Sequence, residues 1–151
     1  MKTLWIASDH AGFALKKQLI ESDAPQGWTW GDLGPASAER CDYPDFAEKL
    51  ALKIQEAPDT LGVLVCGSGI GMAIAANKVP GVRATVVENT VAARLSREHN
   101  AVNVLCLGAR FVAPEYAKDL IHAWIEARPS SDSRHQNRIA KIRKIEADFT
   151  G

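Results

Sequence analysis

The run Cys66-Gly67-Ser68-Gly69-Ile70-Gly71 is the densest chemistry in the chain. Glycines alternating after an apolar stretch permit a tight turn whose backbone N–H groups converge on an anion or a developing oxyanion. Cys66 stands where the opening of a helix favours a thiolate, which makes it a candidate base or nucleophile. The plainer alternative is a buried structural thiol, which is the reading for Cys106 inside its own apolar run. His99 ends a helical pattern begun by Val91 and Leu95. A helix C-terminus favours the protonated ring of a general acid, although a buried helix-end residue fits the position too. Asn100, which tolerates a left-handed cap, follows at once. Asp9 and His10 follow the first apolar run, where turn chemistry alone is the competing account.

Arg134 and Arg138 share one face at the start of the last helical pattern. Cations there oppose the macrodipole, and a bound anion would remove the conflict. Arginine recognises phosphate bidentately, and Arg110, just after another apolar run, could join the pair. The alternative is a solvated basic face continuing through Lys141, Arg143 and Lys144. His122, among Glu115, Lys118, Asp119 and Glu126, reads as solvated.

Familiar uses of such a glycine turn fail on single residues. A cysteine phosphatase needs an arginine clamp where this chain has Met72. A P-loop needs a lysine that does not follow these glycines. A dinucleotide fingerprint needs a wider glycine spacing, although Glu88 stands at a suitable distance for its acid, so a nucleotide-binding module remains the runner-up.

These residues must be carried by the elements around them. Leu4–Ala7, Thr29–Leu33, Leu61–Cys66, Arg83–Val87 and Asn103–Leu107 are short aliphatic runs without polar alternation, which predicts strands buried on both faces. Between them lie helical patterns, with Pro44 and Pro114 at tolerated first-turn positions and a short helix over Ile70–Asn77. Alternating units of this kind predict an α/β fold of three layers, a five-stranded parallel sheet with helices on both faces and an extra C-terminal helix. The polar breaker from Arg128 to Asp132 opens a C-terminal arm at about residue 129, and Ser133 with Gln136 reads as its capping box. Ligands in such sheets collect beyond the carboxyl ends of the strands, where Asp9, His10, Cys66 and Arg110 all stand.

With 151 residues, 46% hydrophobic and 24% charged, the chain is predicted to fold as one domain over 1–151. Eighteen basic side chains balance eighteen acidic ones, so no global charge draws it to nucleic acid or to an anionic membrane. The basic last helix also lacks the interleaved aromatics of a nucleic-acid surface. Cys41, Cys66 and Cys106 lack zinc-type spacing and read as reduced cytoplasmic thiols. The first apolar residues are too few for a secretory signal. The uncharged stretch Thr60–Asn77 reads as strand, turn and helix in preference to a membrane span.

Taken together, several segments resemble the type B ribose-5-phosphate isomerases and the related galactose-6-phosphate isomerases. They are Ser8-Asp9-His10-Ala11-Gly12, Asp42-Tyr43-Pro44-Asp45, Val65 to Met72 leading to Ala75-Ala76-Asn77-Lys78, Leu95 to Asn100, Leu107-Gly108-Ala109-Arg110, and Arg134 to Arg138. The resemblance covers nearly the whole chain. It implies a Rossmann-like fold and a homodimer with shared active sites, often paired into tetramers. The activity it implies is cofactor-free and metal-free interconversion of ribose 5-phosphate and ribulose 5-phosphate, a step of the pentose phosphate pathway.

Carried onto these positions, the resemblance makes Cys66 the base that moves a proton between C1 and C2 through an enediol, and His99 the group that opens the sugar ring. Asp9, Tyr43 and Asn100 become sugar-hydroxyl contacts, and His10, Arg110, Arg134 and Arg138 phosphate ligands. The backbone of Gly67, Gly69, Ile70 and Gly71, with Ser68, would steady the enediolate. His99, Asn100 and Arg110 are expected from the partner subunit. Two features depart from the common pattern: Ser68 replaces a frequent threonine but keeps the hydroxyl, and Met72 occupies the position where one branch carries a glutamate base. Cys66 with Met72 places the chain in the cysteine branch. A six-carbon substrate, allose or galactose 6-phosphate, is the alternative, since a pocket longer by one carbon differs in few side chains.

Overall fold

The computed structural model describes residues 1–150, and each aliphatic run within it forms a strand. β1 (Lys2–Ser8), β2 (Trp28–Asp32), β3 (Leu61–Cys66), β4 (Ala84–Val86) and β5 (Val104–Gly108) pair in parallel in the order β2-β1-β3-β5-β4. The helices are α1 (Phe13–Glu21), α2 (Tyr43–Glu56), α3 (Ile70–Ala76), α4 (Thr90–Asn100), α5 (Pro114–Glu126) and α6 (Ser133–Phe149). Every residue of β3 and β5 is buried, as strands covered on both faces require.

Strand alternation divides the core in two. Leu4, Ile6, Val63, Val65, Leu105 and Leu107 face one side, where Leu15 and Leu19 of α1, Ala93 of α4 and Leu120, Ile121 and Trp124 of α5 cover them. Ala7, Leu64, Cys66, Val104 and Cys106 face the other, against Leu50 and Ile54 of α2 and Met72 and Ala76 of α3. Each such side chain buried in full contributes about 1.5–3 kcal/mol. The fold is thus the expected three-layer α/β sandwich. Among the described residues no helix is long and apolar enough to cross a membrane.

Two element limits differ from the sequence pattern where a side chain takes a backbone N–H. β4 starts after Arg83, whose N–H donates at 2.8 Å to Oδ1 of Asn103, and ends at Val86. The capping box expected of Ser133 and Gln136 does not form. Asp132 is the N-cap and accepts the Arg134 N–H at 2.8 Å, while Gln136 Nε2 turns back to the Ser130 carbonyl at 2.7 Å. A carboxylate one residue earlier is the stronger acceptor for the exposed N–H groups and complements the dipole. Along α6 only Ile139 is buried, while Ile142, Ile145 and Phe149 remain exposed.

The chain leaves β1 toward β2 on one side and leaves β3 past β5 toward β4 on the other. The carboxyl ends of β1 and β3 therefore flank the crevice where such sheets bind ligands. Asp9 and Gly67 are the first residues beyond those two ends.

Candidate active site

Cys66 is the last residue of β3 and is 4% exposed. Its Sγ accepts the Gly69 N–H at 3.1 Å, which holds the sulfur over the turn. That turn requires Gly69 at φ +78°, where a side chain would be strained and would press on the Leu107 backbone. Ser68 Oγ accepts the Ile70 N–H at 3.2 Å. Two of the amides expected to face an oxyanion, those of Gly69 and Ile70, are thus engaged within the loop. Cys106 lies one strand away, on β5. Burial first, and the neighbouring Cys66 second, push its thiol far above the ordinary cysteine range, so it stays protonated.

A cavity of about 430 Å³ opens above this turn, lined by Asp9, His10, Tyr43, Cys66, Ser68 and Arg110 with Gly67, Ile70, Gly71 and Ile74. Asp9 is buried and accepts the Gly12 N–H at 2.9 Å. His10 Nδ1 lies 3.0 Å from the Cys41 carbonyl oxygen and 3.2 Å from the Cys41 nitrogen. The Tyr43 ring lies so close to Gly71 that a Cβ there would stand 2.6 Å from it. The guanidinium of Arg110 covers Gly67 in the same way, with a Cβ at 2.6 Å from Nη1.

Arg110 was expected from a partner subunit, yet it reaches the cavity of its own chain. Pairing in register of Cys66 with Gly108 sets this, since β5 then carries Arg110 to the turn, where its N–H donates to the Gly67 carbonyl at 3.0 Å. Glu88 does not line the cavity. It follows β4, separated from β3 by β5, which removes the basis for a dinucleotide acid.

His99, Asn100, Arg134 and Arg138 do not line the cavity. α4 starts beyond the carboxyl end of β4 and returns to the amino end of β5, so its last turn lies at the opposite edge of the sheet. Six residues of β3 separate the two edges, and a strand of that length spans about 20 Å. At the far edge the His99 ring stacks on His135 at 4.2 Å between centroids and 9° between planes. The Ser130 N–H donates to the Glu98 carbonyl at 2.8 Å, which brings the start of α6 to this place. Arg134 donates from Nη2 to Asp132 at 3.0 Å, and that contact and the backbone bond pull the Asp132 carboxyl down to about 2. The Asp132 carboxylate thus offsets the conflict of Arg134 with the dipole. Arg138 is exposed, as is His122. The sequence pattern did not single out Cys41 or His135. His135 carried a signal in its place between the two arginines, and Cys41 acts through its backbone, which no side-chain pattern reveals.

Residues 4–142 match the family model described as Ribose/Galactose Isomerase. The chain is 41% identical to ribose-5-phosphate isomerase B of Escherichia coli over 97% of each chain. It is 39% identical to D-erythrulose-4-phosphate isomerase of Pectobacterium atrosepticum over 84% of each. The crystal structure of ribose-5-phosphate isomerase B from Mycoplasma genitalium with bound ribulose-5-phosphate superposes with a TM-score of 0.90, at 40% identity and 97% coverage of both chains. With five parallel strands placing Cys66 over a glycine turn, and a match from end to end, this chain belongs to the ribose/galactose isomerase family.

Proposed function

We propose that the protein interconverts ribose 5-phosphate and ribulose 5-phosphate, with Cys66 as the base. The observation that carries this reading is the Cys66 thiol in one cavity with Asp9, His10 and Arg110, in a chain 40% identical to a relative with ribulose-5-phosphate bound. In the forward direction the Cys66 thiolate takes the proton from C2 of the open-chain aldose. The electrons form the enediol double bond as the C1 carbonyl oxygen takes a proton; the C2 hydroxyl then gives up its proton as C1 takes back the one held by Cys66, which leaves the C2 ketone and restores the thiolate. Arg110 and His10 hold the phosphate, a handle remote from the reacting carbons. Asp9 and Tyr43 orient hydroxyls, and amides of the Gly67–Gly71 turn other than those of Gly69 and Ile70 steady the enediolate. No metal or cofactor enters these steps.

His99 opens the sugar ring, with Asn100, Arg134 and Arg138 beside it, at the site of a second copy. The reading of a homodimer with shared sites is supported by their position across the sheet from their own Cys66. Exposed Ile70 and Ile74 at the cavity mouth add apolar surface for that copy to cover. Three free thiols fit a reducing cytoplasm.

The relative acting on erythrulose 4-phosphate favours a second reading, in which the same proton transfer serves a sugar phosphate of another length. Turnover of the purified protein on ribose 5-phosphate, erythrulose 4-phosphate, allose 6-phosphate and galactose 6-phosphate tests both. The ribose reading expects the highest kcat/KM on ribose 5-phosphate and fails if another substrate exceeds it.

A further inference from the structure

We propose that Lys16 is a positioning residue for this site, acting through the chain between β2 and α2 on His10 and Tyr43; the proposal rests on the sugar-phosphate reading above. Lys16 is 1% exposed. Lysine is almost never so buried unless its charge is matched. Its ammonium donates at 2.8 Å to Asp32 Oδ1 and at 2.7 Å to the Pro35 carbonyl, and lies 5.4 Å from the Phe13 ring centroid. The same Asp32 oxygen accepts the Gly34 N–H at 2.9 Å, and the Gly34 carbonyl accepts the Ser8 N–H at 3.1 Å. One buried cation thus ties the end of β2 to α1 beside the last residue of β1.

Beyond Pro35, residues 36–40 are exposed. Among the hydrogen bonds of the described residues, the next tie from this segment to the body is at Cys41, whose carbonyl and N–H both face His10 Nδ1. α2 then starts at Tyr43, over Gly71. Over so short a span, the point where Pro35 is held sets where Cys41 and Tyr43 arrive. The two Cys41 groups make opposite demands on His10. The carbonyl calls for a proton on Nδ1, and the N–H calls for a lone pair there. The register of Cys41 therefore decides whether the other nitrogen of the neutral His10 ring, Nε2, carries a proton or a lone pair. Lys16 does not line that cavity, so its effect on the reaction passes through this segment.

Lys16→Met keeps the stem and removes the charge, Lys16→Arg keeps the charge, and Asp32→Asn weakens the partner at a half-exposed position that the fold tolerates. Circular dichroism checks folding, and Asp32→Asn decides the matter if Lys16→Met does not fold. The expected result for Lys16→Met is a rise in KM for ribose 5-phosphate of about tenfold, with a smaller change in kcat and partial rescue in Lys16→Arg. Nitrogen NMR of the His10 ring should report a changed tautomer balance in Lys16→Met and Asp32→Asn, a readout that a purely structural role would leave alone. Unchanged KM and an unchanged His10 spectrum in folded Lys16→Met or Asp32→Asn would overturn the proposal. His10→Asn separates the two readings. If it leaves KM unchanged, the phosphate role of His10 fails, while the His10 spectrum still decides the role of Lys16. If it raises KM and the Lys16 and Asp32 variants do not, only the role of Lys16 fails.

Discussion

His99 stacks face to face on His135, with centroids 4.2 Å apart, at the edge of the sheet opposite Cys66. Both rings belong to helix ends that the Ser130–Glu98 backbone bond joins. The two chemical halves of the proposed site are therefore assembled separately within one chain, and each is built from its own local contacts.

Cys66→Ala should lower kcat for isomerisation by about 10²–10⁴-fold or more, because the thiolate transfers the proton. Affinity for a phosphorylated sugar should persist, since Arg110 and His10 are unchanged. Steady-state kinetics with calorimetric binding of ribose 5-phosphate checks this, and near-normal turnover would sink the assignment of the base.

His99→Asn should reduce activity on ring-closed sugar phosphates more than on substrates supplied in the open-chain form. Mixing inactive Cys66→Ala and His99→Asn chains gives a sharper test. If sites are shared across a two-fold axis, each mixed dimer regains one intact site, and statistical exchange should restore about a quarter of wild-type activity. A mixture that stays inactive after verified subunit exchange would mean that Cys66 and His99 do not meet across subunits.

Arg110→Ala, Arg134→Ala and Arg138→Ala should each raise KM for ribose 5-phosphate by about ten- to a hundredfold, the equivalent of about 1.5–3 kcal/mol for one lost charge-assisted hydrogen bond. Part of that handle energy serves positioning, so kcat should fall as well. Since Arg110 lies over Gly67 of its own chain, its effect should persist in a monomeric variant's phosphate binding, whereas those of Arg134 and Arg138 should not. Unchanged constants in all three variants would refute the clamp.

Asp132 provides a pH-dependent tie at the start of α6. Hydrogen bonds from the Arg134 side chain and backbone lower its carboxyl from 3.8 to about 2. A group whose folded-state value is depressed stabilises the folded form above its unfolded value, and that contribution is lost as pH falls through the folded value. NMR should accordingly show the first turn of α6 intact above pH 3.8 and loosening as pH approaches about 2, and Asp132→Asn should remove that transition. An Asp132 titration at the ordinary aspartate value would contradict the contact.

Local pattern was enough for the elements and for the residue types at their ends. β3 keeps the limits its aliphatic run predicts, and Pro44 and Pro114 stand in first turns as their missing N–H groups allow. The glycine turn after Cys66 was legible for the same reason, since φ and close approach are decided by neighbours in the chain. What brings Arg110 over Gly67 is the adjacency and register of β3 and β5, a pairing of distant segments that no local spacing encodes. The same topology sends the end of α4, with His99, to the far edge. Asp132 replaced Ser133 as the cap because competing acceptors are ranked by geometry at the helix end. Nothing in the local sequence marks Lys16 in α1 as buried. Only the folded chain reveals that Asp32 and Pro35 close over it, since burial depends on what packs from elsewhere and not on the residue's own helix.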